Sequence, residues 1–289
     1  MKKVFIVGSL NMDLVICAPY APRGGETLMG SDFMVNPGGK GANQACATAK
    51  LGGDAYMCGC VGDDSFAEDL KKSLQSSGVN TDYIRSVEKT PTGVAVIVVT
   101  NGENRIIIDS GANGFLKETD IDKLLENASE GDIYLTQLEN PIDIIGYGLK
   151  KAKEKGLLTV LNPAPANKDI LKYAEYVDII TPNETESEIL GGKDSLFDLG
   201  IKTVVTTLGS RGFEIATQGD SKIYPCIKVD PVDTTAAGDT ACGGLCAMLS
   251  LGYPLEEAMA FGSRAASIAC TRSGAQRSIP SRSEVENWK

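Results

Sequence analysis

Short apolar runs of strand character alternate with amphipathic stretches along most of the chain, and this alternation restricts the fold more than any other feature. Residues 4–7 read as a buried opening strand followed by Gly8-Ser9, and residues 42–51 as a helix ending at Gly52-Gly53. Residues 55–61 then read as a strand and 65–76 as a helix stopped by Gly78. The pattern returns with strands at 133–135, 157–161, 177–180 and 203–207 and helices at 142–155 and 184–190. Repeated strand–helix–strand order predicts a mostly parallel sheet covered on both faces, with ligands at the carboxyl ends of its strands.

Two segments depart from this order. Residues 13–18 with 29–35, and 93–100 with 105–109, lack an intervening helix and read as strand pairs. Asn101-Gly102-Glu103-Asn104 supplies a hairpin signal in the second pair. A small separate sheet is expected, acting as a lid over the strand ends. The last third reads as helices at 239–251, 255–270 and 282–288. With no low-complexity linker, repeat or heptad run, one domain over 1–289 is expected, its lid strands drawn from about 13–36 and 91–110.

Charge and composition exclude several functions. The 289 residues hold 28 Lys+Arg against 38 Asp+Glu, a net charge of −10 that disfavours nucleic-acid and anionic-membrane partners. Histidine is absent, which removes Ser–His–Asp and Cys–His nucleophiles, His-ligated zinc and an imidazole shuttle. A general base must be a carboxylate, Lys, Tyr or Cys. The eight cysteines, with Cys58-Gly59-Cys60 and Cys242…Cys246 the close pairs, fit buried thiols in a reducing compartment. Asn11 and Asp13 interrupt the apolar start, and no run of about 18 apolar residues occurs, so a cytoplasmic location is expected.

Four stretches carry chemistry. In Pro37-Gly38-Gly39-Lys40-Gly41-Ala42-Asn43, glycines surround a Lys at the mouth of a helix; it reads as a binding loop or as a structural turn. It is neither a Walker A sequence nor a Gly-x-Gly-x-x-Gly fingerprint, which disfavours a nicotinamide-dependent oxidoreductase. Asp233-Thr234-Thr235-Ala236-Ala237-Gly238-Asp239-Thr240 is sharper: small residues lead to an Asp at the start of an apolar helix. The N–H groups of residues 236–239 would converge at the positive end of the helix dipole, and Asp239 would serve as an N-cap or as a base. An anion site beside a carboxylate is what phosphoryl transfer to an alcohol requires, and without histidine Asp239 is the natural base. In Thr181-Pro182-Asn183-Glu184-Thr185-Glu186, Asn183 and Glu186 read either as helix caps or as organisers of hydrated Mg²⁺. Thr207-Leu208-Gly209-Ser210-Arg211-Gly212 reads as a hairpin or as a wall of a nucleotide pocket.

In this order the stretches resemble the ribokinase-like (PfkB-type) carbohydrate kinase family over essentially the whole chain. Further matches are Gly8-Ser9-Leu10-Asn11-Met12-Asp13, Gln137-Leu138-Glu139 and Leu161-Asn162-Pro163-Ala164-Pro165-Ala166. The Asn-x-Asp opening, Gly-Gly-Lys-Gly-Ala-Asn and Gln-Leu-Glu are more particular to ribose kinases. The resemblance implies an α/β fold, a three-layer α/β/α sandwich with a mostly parallel central sheet and a small β-sheet lid. It implies ATP-dependent phosphorylation of D-ribose, with another small sugar or a nucleoside (2-deoxyribose, fructose) as the alternative acceptor and a non-catalytic binding protein further behind. Asn11, Asp13, Gly39, Lys40, Asn43 and Glu139 would hold the sugar, with Asp239 as base and Ala236, Ala237 and Gly238 as the anion hole. Asn183, Thr207, Leu208, Gly209, Ser210, Arg211, Gly212, Gly238 and Ser263 would contact ATP, and Asn183 with Glu186 would be associated with Mg²⁺. A monovalent cation, usually K⁺, would lie by Asp233, Thr235, Ala269, Arg272, Gly274 and Ser278. The lid would clasp a second subunit in a homodimer. The chain departs from the family pattern at Ala236, where Gly is general, at Arg277, where Pro is expected, and at Ser263, where Asn or His is expected. Residues 191–200 form a short stretch, read as a trimmed peripheral helix.

Overall fold

A computed structural model describes residues 1–101 and 103–288; Gly102 of the hairpin signal lies outside the described residues. The chain opens with β1 (Lys3–Val7), β2 (Asn11–Cys17) and β3 (Ser31–Gly38), then α1 (Lys40–Lys50), β4 (Asp54–Val61) and α2 (Ser65–Ser76). Next come β5 (Asn80–Ser86), β6 (Gly93–Thr100), β7 (Glu103–Asp109), α3 (Glu118–Leu125), β8 (Ile133–Thr136), α4 (Ile142–Glu154) and β9 (Leu158–Leu161). After β10 (Ile179–Ile180), α5 (Glu184–Ile189), α6 (Gly192–Asp198) and β11 (Thr203–Thr207) follow β12 (Phe213–Thr217) and β13 (Asp220–Tyr224). Three helices close the chain: α7 (Ala237–Ser250), α8 (Leu255–Cys270) and α9 (Arg282–Asn287).

Among the described residues, nine strands form one sheet in the order β13-β12-β11-β10-β9-β8-β1-β4-β5. Pairing is parallel from β5 through β11, and only the β11–β12 and β12–β13 pairs are antiparallel, so β12 alone runs against the other strands. Val4 is the key to the register, pairing with Ala55 on one side and Ile133 on the other. The period-two alternation of β1 sends Val4 and Ile6 to one buried cluster and Phe5 and Val7 to the other. The first cluster includes Ala42, Ala45, Leu245 and Ile268 of α1, α7 and α8; the second includes Ile121 and Leu149 of α3 and α4. Both faces of the sheet are therefore covered, the three-layer arrangement the sequence predicts. Because β4 and β8 flank β1, the strand order reverses there, and a cavity lined by Asn11, Leu138 and Glu139 lies beyond the carboxyl ends of β1 and β8.

The four remaining strands form the second sheet, ordered β3-β2-β6-β7, with β2 and β6 parallel and both outer pairs antiparallel. β2 begins only four residues after β1 ends, so the lid is tied directly to the cavity beyond β1. Every residue of β7 is exposed. The structure adds elements the sequence reading lacks, namely β5, β13 and α3, places the short helix α6 in the stretch 191–200 read as a trimmed peripheral helix, and shortens the expected strand 177–180 to Ile179–Ile180. No helix among the described residues is long and apolar enough to cross a membrane. All eight cysteines are free thiols.

Candidate active site

Parallel strands deliver their following residues to one edge of the sheet, and here that edge is polar. Ser9 follows β1, Gln137 and Glu139 follow β8, Asn162 follows β9, Thr181 and Asn183 follow β10, and Thr207 ends β11. α7 faces them with its amino end.

Asp239 is the third residue of α7 and is buried, 7% exposed. Asn43 Nδ2 donates to its Oδ2 at 3.0 Å, and Gln44 Nε2 donates to its Oδ1 at 2.9 Å. The cap of α7 is Ala236, with φ 59 and no side-chain cap bond, so the N-cap reading of Asp239 is not realised. One expectation needs correction. The Ala237 N–H, expected in the anion hole, donates to Thr234 O at 3.2 Å because the left-handed Ala236 folds the turn back on itself. The Ala236, Gly238 and Asp239 N–H groups have no acceptor among the described residues. Gly238 is exposed, and a Cβ there would meet nothing within 4 Å, so the turn faces open space.

Around this carboxylate the Gly-rich loop and the lid bring further charge. Gly39 caps α1 at φ 88, a left-handed backbone where a Cβ would lie 2.6 Å from Asn11 N. Lys40 opens α1. Burial works to lower its pKa, but Asp239, Glu139, Glu186 and Asp13 outweigh that and raise it. Asp13 on β2 is pushed up to about 7, by burial first and then by Glu139 and Asp239, with Lys40 opposing. Glu139 Oε2 accepts from Ser9 Oγ at 2.5 Å and from Lys40 N at 3.2 Å. Asn11 Oδ1 accepts from Asn113 Nδ2 at 2.7 Å, which leaves the Asn11 NH₂ available as a donor. The buried Asn43 Oδ1 has no partner among the described residues.

A cavity of about 230 Å³ is lined by Lys40, Asn183, Glu186, Gly238 and Asp239. It shares Thr207, Thr234, Ala237 and Gly238 with a second cavity of about 920 Å³, which Gly209, Ser210, Arg211, Gly212 and Ser263 also line. Leu208 is not on that wall; its N–H donates to Gly212 O at 2.8 Å and closes the turn. Arg211 is ion-paired with Glu184. Asn183 and Glu186 form a reciprocal capping box on α5, with bonds of 2.8 and 2.9 Å, the longer one accepted by Glu186 Oε2. Burial raises the Glu186 carboxyl, against the pull of the Asn183 N–H and Lys40. Capping and the cavity wall are thus combined in the same two residues.

Asp233 accepts from Thr235 N at 2.9 Å and from Gly274 N at 3.0 Å. Burial pushes its carboxyl up, and these bonds outweigh that and hold it below the usual value. Asp233, Thr235 and Gly274 line a cavity of about 430 Å³ together with Asp13, whereas Ala269, Arg272 and Ser278 do not. The Arg272 side chain pairs with Glu284 at 2.7 Å, Ala269 O accepts from Arg272 N at 3.0 Å, and Ser278 Oγ donates to Ala275 O at 2.8 Å. Among the described residues no group of three or more Cys, Asp or Glu side chains is placed to hold a metal ion.

Gln44 holds Asp239, Asn162 holds Gln44 and Asn113 holds Asn11, none of them expected in that place. Neutral amides have no titration and no ligand spacing; the motifs Gly38–Asn43 and Leu161–Ala166 could have pointed to Gln44 and Asn162, and no motif pointed to Asn113.

The family described as pfkB family carbohydrate kinase matches residues 1–282. The chain belongs to that family. Within it, the ribokinase of Haemophilus influenzae is 40% identical over 297 residues, covering 98% of this chain and 97% of that protein. The deoxyribokinase of Salmonella typhimurium is 36% identical over 292 residues, covering 96% and 95%. The structure of Arabidopsis thaliana ribokinase complexed with ribose and ATP superposes with a TM-score of 0.86 at 32% identity, covering 99% of this chain and 97% of that one. As a pfkB-family carbohydrate kinase, the chain is a sugar kinase with the fold of the solved ribokinases.

Proposed function

We propose that this kinase transfers the terminal phosphoryl group of ATP to the primary hydroxyl of D-ribose, giving ribose 5-phosphate and ADP. The observation that carries the reading is the buried Asp239 carboxylate beside the unpartnered Gly238 N–H, where the 230 Å³ cavity meets the larger one. The kinship with ribokinases and the Arabidopsis complex with ribose and ATP support it.

In this reading, Asn11, Asp13, Gly39, Lys40, Asn43 and Glu139 hold the sugar hydroxyls, for which carboxylates and amides give charge-assisted bonds. Asp239 takes the proton of the primary hydroxyl as that oxygen bonds to phosphorus in line with the departing ADP oxygen. The N–H groups of Ala236, Gly238 and Asp239 stabilise the transferred charge. Thr207, Gly209, Ser210, Arg211, Gly212 and Ser263 receive the nucleotide. Asn183 and Glu186 offer the few hard oxygen donors that suit hydrated Mg²⁺, whose charge would offset that of the phosphates. The Asp233–Gly274 bond pins together two loops, and this fits a K⁺ site on Asp233, Thr235 and Gly274, which share one cavity; Ala269, Arg272 and Ser278, expected with them, stand outside that cavity. We read residues 1–289 as one catalytic domain with a lid. The exposed apolar side chains of β7, Ile106, Ile107 and Ile108, support a homodimer joined through the lid. Free thiols throughout support a cytoplasmic setting.

A second acceptor, 2-deoxyribose, is favoured by the similarity to a deoxyribokinase. ADP production with ribose, 2-deoxyribose, fructose and adenosine, with and without K⁺, tests both readings. The expected result is the highest kcat/KM with ribose and stimulation by K⁺. A higher kcat/KM with any other acceptor overturns the ribose assignment.

A further inference from the structure

Gln137 follows β8 and is 1% exposed. Its Nε2 donates to Gln44 Oε1 at 2.6 Å. An amide has one accepting and one donating end, so with its carbonyl engaged Gln44 turns its NH₂ the other way. There Nε2 donates both to Asn162 Oδ1 at 3.1 Å and to Asp239 Oδ1 at 2.9 Å. Asn162 is itself held by its Nδ2, which donates to Thr181 O at 2.9 Å.

The two amides that contact Asp239 differ in how firmly they are set. Asn43 Oδ1 has no partner among the described residues, so nothing opposes its reversal except the bond to Asp239 itself. Gln44 is fixed from behind. The cost of fixing it shows at Gln137, whose own Oε1 is buried without a partner. That oxygen lies so close to Gly8 that a Cβ there would sit 2.1 Å from it.

We propose that Gln137 is a positioning residue for phosphoryl transfer: by engaging the carbonyl end of Gln44 it directs the Gln44 NH₂ onto Asp239 and so sets the rotamer of the base. The proposal rests on Asp239 being that base. A reversed Gln44 would set its Oε1 against the Asp239 carboxylate, two acceptors facing each other in a buried site, and Asp239 would leave its position.

The test uses two variants: Gln137→Met, which removes the donor, and Gln137→Glu, which keeps the shape. In the second variant the introduced carboxyl, when neutral, still donates to Gln44 Oε1; once ionised it only accepts and reverses Gln44. Asp239 otherwise faces Lys40 from α1, Asp13 from β2 and Glu186 from α5, and Glu139 follows Gln137 on the same loop; all are retained in both variants. Melting temperature and calorimetric ATP binding establish that each variant is folded. Gln137→Met is expected to lower kcat about 10–100-fold with the KM for ATP within about twofold. Gln137→Glu is expected to lose kcat about tenfold more than the parent as pH rises from 6 to 9. Should the Met variant fail to fold, the pH profile of Gln137→Glu decides alone. A kcat within about twofold of the parent in both variants at every pH overturns the proposal, as does a loss matched by an equal loss of ATP binding. Full activity in Asp239→Asn would instead overturn the base assignment, so the two failures are distinguishable.

Discussion

The backbone of Gly38 runs directly against the Asp13 carboxylate: a Cβ on Gly38 would lie 2.2 Å from Asp13 Oδ2 and 2.6 Å from Oδ1. The last residue of β3 is therefore glycine because the lid strand β2 aims an acid at it. Gly38→Ala should displace that acid, raising the KM for sugar about tenfold or more with the KM for ATP little changed. The overpacking should cost about 1–3 kcal/mol of stability. Steady-state kinetics against each substrate and a denaturant titration check both.

In the proposed reading Asp13 couples sugar binding to stability, because burial and its acidic neighbours push its carboxyl up to about 7. Between the ordinary carboxylate value and 7 the folded protein binds a proton that the unfolded chain does not. Stability from this group is therefore fully present in acid, falls as pH rises through that window, and is lost above 7. Asp13→Asn should raise the unliganded melting temperature at pH 8, with an upper bound of about 4 kcal/mol, and do little at pH 3.5. The same variant should bind sugar far more weakly. In the parent, sugar affinity should rise from pH 6 to 8, since the ionised acid accepts the stronger hydroxyl bonds.

Much of this arrangement was legible in the sequence, and the parts that were not share a physical cause. The expected strand 55–61 and helix 65–76 match β4 and α2 to within one residue because their periodicities are strong. β13 is an edge strand with four of five residues exposed, so it carries no apolar alternation to read. β5, Asn-Thr-Asp-Tyr-Ile-Arg-Ser, buries only Ile84, and β10 keeps only the two residues after Asp178, which interrupts the stretch Val177–Ile180. In the site, Asp239, Asp13, Lys40 and Glu139 stand out by charge within glycine-rich or paired motifs. The Ala237 N–H turned inward because Ala236 takes a left-handed backbone, a conformation small residues allow but do not announce.

The outer strand of the lid gives a direct test of assembly. Ile107 is 76% exposed on β7, flanked by Ile106 and Ile108. Ile107→Glu should shift sedimentation velocity from dimer to monomer, because a carboxylate buried in an apolar contact lacks a partner. A parent that sediments as a monomer at every concentration contradicts the assembly.

The junction at Asp233 tests the cation assignment. Asp233→Asn removes an acceptor from the Thr235 or Gly274 N–H and should cost about 1–3 kcal/mol. ADP production should then respond little to added K⁺, while the parent is stimulated. An unchanged K⁺ response places the cation elsewhere.

The most direct measurement is the single-turnover rate of Asp239→Asn with saturating ATP and ribose. The side chain keeps its shape, and Asn43 is free to reverse its amide and accept from the new NH₂. A rate about 10²–10⁴-fold below the parent, with calorimetric ATP affinity nearly intact, is the predicted result. A rate equal to that of the parent would contradict the account.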